Sequence, residues 1–325
     1  MAKPKTPPKR GSFSMNFLKS LLDGNYSELI KTIYEDKDLD IQLRDNYINV
    51  YYKGGNILRI KQASFEFDKF YFYLPENESE KYPKSYIEKM AKDKLYEIST
   101  NTIRPIPTKE VASAIINRLE KQEKDLKGYL QSDVKTYLSK AKKVMDDWFN
   151  VWKKEERKDQ HYISLSNRSF SGDSDLVVVD LEFAISILHP YNNSKNSKGD
   201  KKVCRFDIIA VDRAGQIYVI ELKQNPKADG KGNKANVENH TQDFDDTIGN
   251  DDQNLFASEV FDLVQMKQQL GIMSKEIIVD QSKKPKFAVA YSGPEADEFN
   301  AKYREAGLKV IEVIQNGNNK YLKLG

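Results

Sequence analysis

Two short apolar runs joined by a turn constrain this chain more than any other part of it. Residues 205–212 read Arg-Phe-Asp-Ile-Ile-Ala-Val-Asp, and residues 216–223 read Gln-Ile-Tyr-Val-Ile-Glu-Leu-Lys, with Arg213, Ala214 and Gly215 between them. Apolar residues occupy both alternating sets, as in central strands covered on both faces. Phe206, Ile208, Tyr218 and Ile220 are expected on one face, and Ile209, Val211, Ile217 and Val219 on the other. Three charged residues, Asp207, Glu221 and Lys223, break the pattern. Burying an unpaired charge is costly, so each needs a partner, a bound ion or the open end of a sheet.

The turn tests their geometry. If Arg213-Ala214-Gly215 form a three-residue loop with Gly215 left-handed, Asp212 pairs with Gln216 and Asp207 with Glu221. Glu221 and Lys223 then share a face, and residues directly opposite have β-carbons about 4.5–5.5 Å apart. A two-residue loop would instead set Asp207 opposite Leu222. On the first register two carboxylates and an ammonium converge. Adjacent carboxylates repel, and one is driven neutral unless a cation lies between them. Mg²⁺ suits such a place, because it takes oxygen ligands and binds through one or two carboxylates plus substrate phosphate; Mn²⁺ is expected to substitute. Lys223 is positioned to orient an attacking water or to stabilise developing negative charge. The plainer reading is a salt bridge at a strand end.

The rest of the chain is read around this hairpin. At 325 residues it is longer than one ordinary core of about 100–200 residues, so two lobes are expected. Residues 1–14, rich in proline and basic residues, read as a disordered basic tail. Residues 15–128 read as an N-terminal α+β domain of helices and an aromatic-rich β-meander, and residues 129–325 as the domain holding the hairpin. In the meander Tyr47, Tyr51, Tyr52 and Phe65 are interleaved with Lys53, Arg59 and Lys61, a pattern that stacks bases and holds phosphates or simply buries one sheet face. Later segments read as a helix over 132–160, strands over 176–188, 203–212 and 216–224, a helix over 255–273, a strand over 285–291, a helix over 295–306 and a last strand over 308–314. Helix, three strands, helix, strand, helix, strand is an α/β order with a mixed sheet.

The 52 Lys and Arg nearly balance 49 Asp and Glu, so net charge names no partner. A single cysteine, Cys204, excludes an intramolecular disulfide and any cysteine-cluster metal site, and fits a cytoplasmic location. Three scattered histidines cannot make a His-rich metal site, and no apolar run is long enough for a membrane span.

Asp207 on one core strand and Glu221-Leu222-Lys223 on the next resemble the PD-(D/E)xK nuclease superfamily, over the C-terminal part of the chain from about residue 132. The position before Asp207 is Phe206 rather than proline. The resemblance implies a restriction-endonuclease-like core, a mixed β-sheet flanked by helices, here preceded by the smaller α+β domain. It implies Mg²⁺-dependent phosphodiester hydrolysis, most often of DNA and often in defence against foreign DNA. Asp207 and Glu221 would be metal ligands and Lys223 catalytic. Less specifically, it points to Glu156 on the first core helix, with Gln160 one turn on. It also points to Glu182 on the first strand as a further metal ligand, and to Gln265 on the helix after the third strand. His240 and the loop lysines Lys202, Lys227 and Lys231 are candidate nucleic-acid contacts. A homodimer is a family-level expectation. A nuclease fold that grips nucleic acid or a protein without cutting is the alternative, and an RNA-directed enzyme fits the same residues.

Overall fold

The structure, a computed structural model, describes residues 10–62, 64–66, 121, 124–125, 128, 132–152, 156–185, 203–224 and 236–325. The N-terminal lobe opens with helices α1 (Met15–Leu22) and α2 (Ser27–Glu35). Ser14 caps α1 by accepting from the Phe17 amide, and Phe17 and Leu21 are buried one turn apart. Four antiparallel strands follow in sequential order: β1 (Leu39–Leu43), β2 (Tyr47–Tyr52), β3 (Gly55–Lys61) and β4 (Ser64–Glu66). The β2–β3 turn is Lys53-Gly54, both at positive φ, and Gly55 already pairs with Tyr52. The aromatic positions from Phe67 to Tyr73 lie outside the described residues.

Helices α3 (Val134–Trp152) and α4 (Glu156–Ser166) lead into the main sheet. The periodicity predicts one helix ending near residue 160, but α4 continues to Ser166. Its strands are β5 (Leu176–Ile185), β6 (Cys204–Asp212), β7 (Ile217–Lys223), β8 (Lys286–Tyr291), β9 (Val310–Asn316) and β10 (Asn319–Leu324). The spatial order is β10-β9-β8-β7-β6-β5. The β5/β6, β6/β7 and β9/β10 pairs are antiparallel, and β7/β8 and β8/β9 are parallel. Between β7 and β8 run α5 (Val237–Phe244), a π-helical turn (Asp245–Gly249) and α6 (Leu255–Gln269); α7 (Ala296–Glu305) joins β8 to β9. The architecture is thus mixed α/β, a mixed sheet flanked by helices with an antiparallel sheet at the N-terminal end. Among the described residues no helix is long and apolar enough to cross a membrane.

Two elements escaped the sequence reading. Helix α5 lies in what reads as an acidic loop, and β10 follows a turn at Gly317 (φ 61°) whose Asn-Gly signal precedes only a weak alternation.

One apolar core runs through both lobes. It joins Ile30, Ile48 and Leu58 to Tyr137 and Met145 of α3, and to Val179, Ile209, Val219 and Val260. A second, on the opposite face of the main sheet, joins Ile163 of α4 to Ile208, Ala210, Tyr218 and Ile220. Phe206 departs from its expected face: it belongs to the first core, whereas Ile208 belongs to the second. Its partners across β5 show why. Leu181 and Phe183 also fall in different cores, and between them Glu182 has a left-handed backbone (φ 52°).

The segment read as a disordered tail over 1–14 needs correction at its end. Arg10 is buried, with its guanidinium 3.0 Å from Asp180, and Gly11 donates to the Arg44 carbonyl. A buried carboxylate on β5 gives an otherwise solvated arginine a place in the core. Residues 1–9 lie outside the described ones.

Candidate functional site

The hairpin forms with the three-residue loop. Asp212 N donates to the Gln216 carbonyl, and Gly215 (φ 75°) takes the left-handed place. A β-carbon at Gly215 would lie 2.7 Å from the Asp280 amide nitrogen, so close approach reinforces the need for glycine. The ladder runs from Val211↔Ile217 to Ile208↔Ile220 and stops one position short of Asp207 and Glu221, which the same frame would set opposite each other. Here the Asp207 side chain joins the strands: its Oδ2 accepts from the Leu222 amide at 2.9 Å.

A β-bulge brings in the neighbouring strand. Val178 pairs with Ala210 but Asp180 pairs with Ile209, leaving Val179 as the extra residue. The frame after the bulge puts Glu182, not Leu181, opposite Asp207. The Val179 carbonyl accepts from Lys267 Nζ at 2.6 Å. Glu182, Asp207 and Glu221 therefore make one row across three strands. The left-handed backbone at Glu182 costs about 1–3 kcal/mol, strain of the kind that gathers at functional positions.

Lys223 Nζ donates to Glu221 Oε1 at 2.7 Å, and His240 Nε2, delivered by α5, lies 3.1 Å from the same oxygen. Gln160 Nε2, from α4, donates to Asp207 Oδ1 at 3.0 Å. Just beyond Lys223, Gly293 packs so closely that a β-carbon there would clash with the Gln224 carbonyl oxygen.

Burial dominates the electrostatics. It pushes the Asp207 carboxyl up to about 6, with the Glu182 charge adding to the rise and the Leu222 amide opposing it. Burial and then the charge of Asp207 push Glu221 up to about 8, against the pull of Lys223. Glu221 Oε2 is buried and has no hydrogen-bond partner among the described residues. An oxygen without a donor among the described residues, on a carboxylate near another carboxylate, suits a hard cation. Among the described residues, however, no group of three or more His, Cys, Asp or Glu side chains stands ready to hold one.

The remaining candidates divide. Glu182 is half-exposed and bonded to Arg205 at 3.2 Å, so its carboxylate already has a countercharge. Glu156 opens α4, but its side chain is not among those described; Gln160, one turn along, is the residue that reaches Asp207. Gln265 is not part of the site: it is exposed on α6 and bonded to Gln268, because the buried stripe of that helix runs through Leu263, Val264 and Lys267. Lys202, Lys227 and Lys231 lie outside the described residues.

A cavity of about 400 Å³ lies beside the row, between β2 and the main sheet. Gln160 and Glu182 belong to its wall as well as to the site, and Arg44, Tyr47, Tyr51, His161 and Arg205 line it elsewhere. Of these, only the tyrosines carried a sequence signal. His161 and Arg205 enter through tertiary placement alone. Comparison of the chain with protein-family models, curated proteins and solved structures found no match.

Proposed function

We propose that the chain is a divalent-metal-dependent phosphodiester hydrolase acting on nucleic acid, DNA before RNA, with a restriction-endonuclease-like core. The observation that carries this reading is the proximity of Asp207, Glu221 and Lys223 at the end of the β6–β7 pair, with one Glu221 oxygen lacking a donor among the described residues. The order of α4, β5, β6, β7, α6 and β8, with β7 and β8 parallel, supports the resemblance read from the sequence.

Magnesium, or manganese in its place, would be held by Asp207 and Glu221, and would supply positive charge against a phosphoryl oxygen and acidify a water. The chain's own groups do the rest. Gln160 and the Leu222 amide fix the two oxygens of Asp207, so its carboxylate is oriented before substrate arrives. Lys223 Nζ, held by Glu221, orients the nucleophile and stabilises charge developing on the phosphoryl group. His240 Nε2, against the same Glu221 oxygen, helps hold that carboxylate in place.

One observation favours a non-cutting nucleic-acid-binding module instead: Glu221 and Lys223 are each only 4% exposed. Incubation with single- and double-stranded DNA and RNA, in Mg²⁺, Mn²⁺ or EDTA, decides between them. Metal-dependent cleavage that EDTA stops, and that Asp207→Ala and Lys223→Ala lose, supports the hydrolase. DNA binding with no metal uptake by calorimetry and no cleavage supports the binding module.

A further inference from the structure

The cavity beside the carboxylate row holds features that hydrolysis does not explain. Its wall is made jointly by the N-terminal sheet and the main sheet, and shares Gln160 and Glu182 with the candidate site. Whatever fills it lies next to Asp207, to which Gln160 is bonded at 3.0 Å. At about 400 Å³ it has the size of a small-ligand pocket rather than of a duplex groove.

Its chemistry is that of a nucleotide site. Tyr47 and Tyr51 present aromatic surface from β2, and the guanidinium of Arg59 lies over the Tyr47 ring at 4.7 Å from its centroid. Arg10 and Arg44 are both committed to Asp180, so the cavity's adaptable cation is Arg205. Arg205 is 64% exposed and, among the described residues, is paired with the half-exposed Glu182, a pair that a phosphate can open.

A second, independent feature is His161. It is 2% exposed, and its Nε2 lies 3.0 Å from the Asp38 carbonyl, which can only accept. Nε2 therefore carries the proton. The other ring nitrogen, Nδ1, is buried without a hydrogen-bond partner among the described residues. Burial disfavours the charged ring, so His161 contributes to the cavity wall as a neutral imidazole.

We infer that this cavity takes one unpaired nucleotide of the substrate strand, with its base against the tyrosine side chains of β2 and its phosphate on Arg205. The proposal rests on the hydrolase reading for the strand's onward path to Asp207 and Glu221. The N-terminal lobe then acts as half of the substrate site, selecting single-stranded or locally opened nucleic acid. Base-to-aromatic stacking tolerates sequence, so the cavity would read strand state rather than base identity.

Fluorescence anisotropy in EDTA, where no cleavage occurs, tests it on the full chain. The probes are one labelled single-stranded DNA oligonucleotide and its duplex. The single strand is expected to bind more tightly than the duplex. Tyr47→Ala and Arg205→Ala are each expected to weaken single-strand binding about tenfold, the scale of one lost stacking or charged contact. Tyr47→Phe should retain affinity, which separates loss of the ring from loss of the fold. Arg304→Ala, which removes a like charge outside the cavity, should change nothing. Equal affinity for strand and duplex, no binding of either, or equal weakening by Arg304→Ala overturns the inference. A chain that binds in this pattern in EDTA but never cleaves with metal would defeat the hydrolase reading and leave the nucleotide site standing.

Discussion

Two sets of buried acid lie within one turn of strand from each other, and they are handled in opposite ways. Asp180 is wholly buried, yet Arg10 reaches it at 3.0 Å and Arg44 at 2.8 Å. Glu221 is buried with Lys223 bonded to it and the half-buried Asp207 nearby, and desolvation drives both carboxyl pKa values upward. The first acid is neutralised by the chain itself, through arginines that tie the N-terminal segment and the N-terminal sheet to β5. The second is left short of positive charge. Burial of an acid is therefore not the distinguishing feature; among the described residues, the two sites differ in the countercharge set against the carboxylates.

The largest effect that would break this contrast is in stability. Asp180→Ala strands two buried guanidinium groups and is expected to destabilise the fold by about 3–5 kcal/mol in urea melts. A loss below about 1 kcal/mol would show that the arginines find other partners and that the two acids are not different in kind.

Next comes activity. Lys223→Ala should lower metal-dependent cleavage by about a hundredfold to a thousandfold, equivalent to about 3–4 kcal/mol in the barrier. Its far-ultraviolet circular dichroism should stay at the wild-type level. Full activity in that variant would return Lys223 to the status of a strand-end salt bridge.

Lys267 sharpens the comparison from the cationic side. It is buried beside Asp180 and Asp40, and burial lowers its pKa from 10.5 to about 8. Below pH 8 the amine is charged in both folded and unfolded chains, and the folded chain carries the full burial penalty. Between about pH 8 and 10.5 the folded chain has released the proton while the unfolded chain retains it, so stability rises with pH. Relative to Lys267→Met, the wild type should gain on the order of 1–3 kcal/mol over that interval. A parallel pH profile in the two proteins would place the charge elsewhere.

The smallest effect concerns the ion. Magnesium at tenfold excess over its dissociation constant should stabilise the wild type by about 1 kcal/mol, and should not stabilise Asp207→Ala. An equal shift in both, read by differential scanning calorimetry, would mean that the ion binds away from the deficient acids.

The core strands and the hairpin register were open to reading because they follow from local rules. Alternation with period two sorts side chains by face, and Gly215 sets a three-residue loop, so Asp207, Glu221 and Lys223 could be brought together on paper. The same rules fail at Glu182. Simple counting from Val178↔Ala210 would put Leu181 opposite Asp207, and the bulge at Val179 advances the frame by one residue. Nothing in Val177-Val178-Val179 announces that bulge; it is held by a lysine 88 positions away on α6. Gln265 failed for a related reason, since the buried stripe of α6 is chosen by what packs on it and not by polarity at one position.

The linear chain thus settles what local periodicity and turn stereochemistry can settle: strand pairs, helices and the acid–acid–lysine juxtaposition. Packing between distant segments settled the rest. It buried Arg10 against Asp180, turned His161 onto a cavity wall, and gave Arg205 to Glu182. Those outcomes depend on which long-range charges and surfaces meet, and the free energy of such a meeting belongs to both partners, so neither sequence segment alone encodes it.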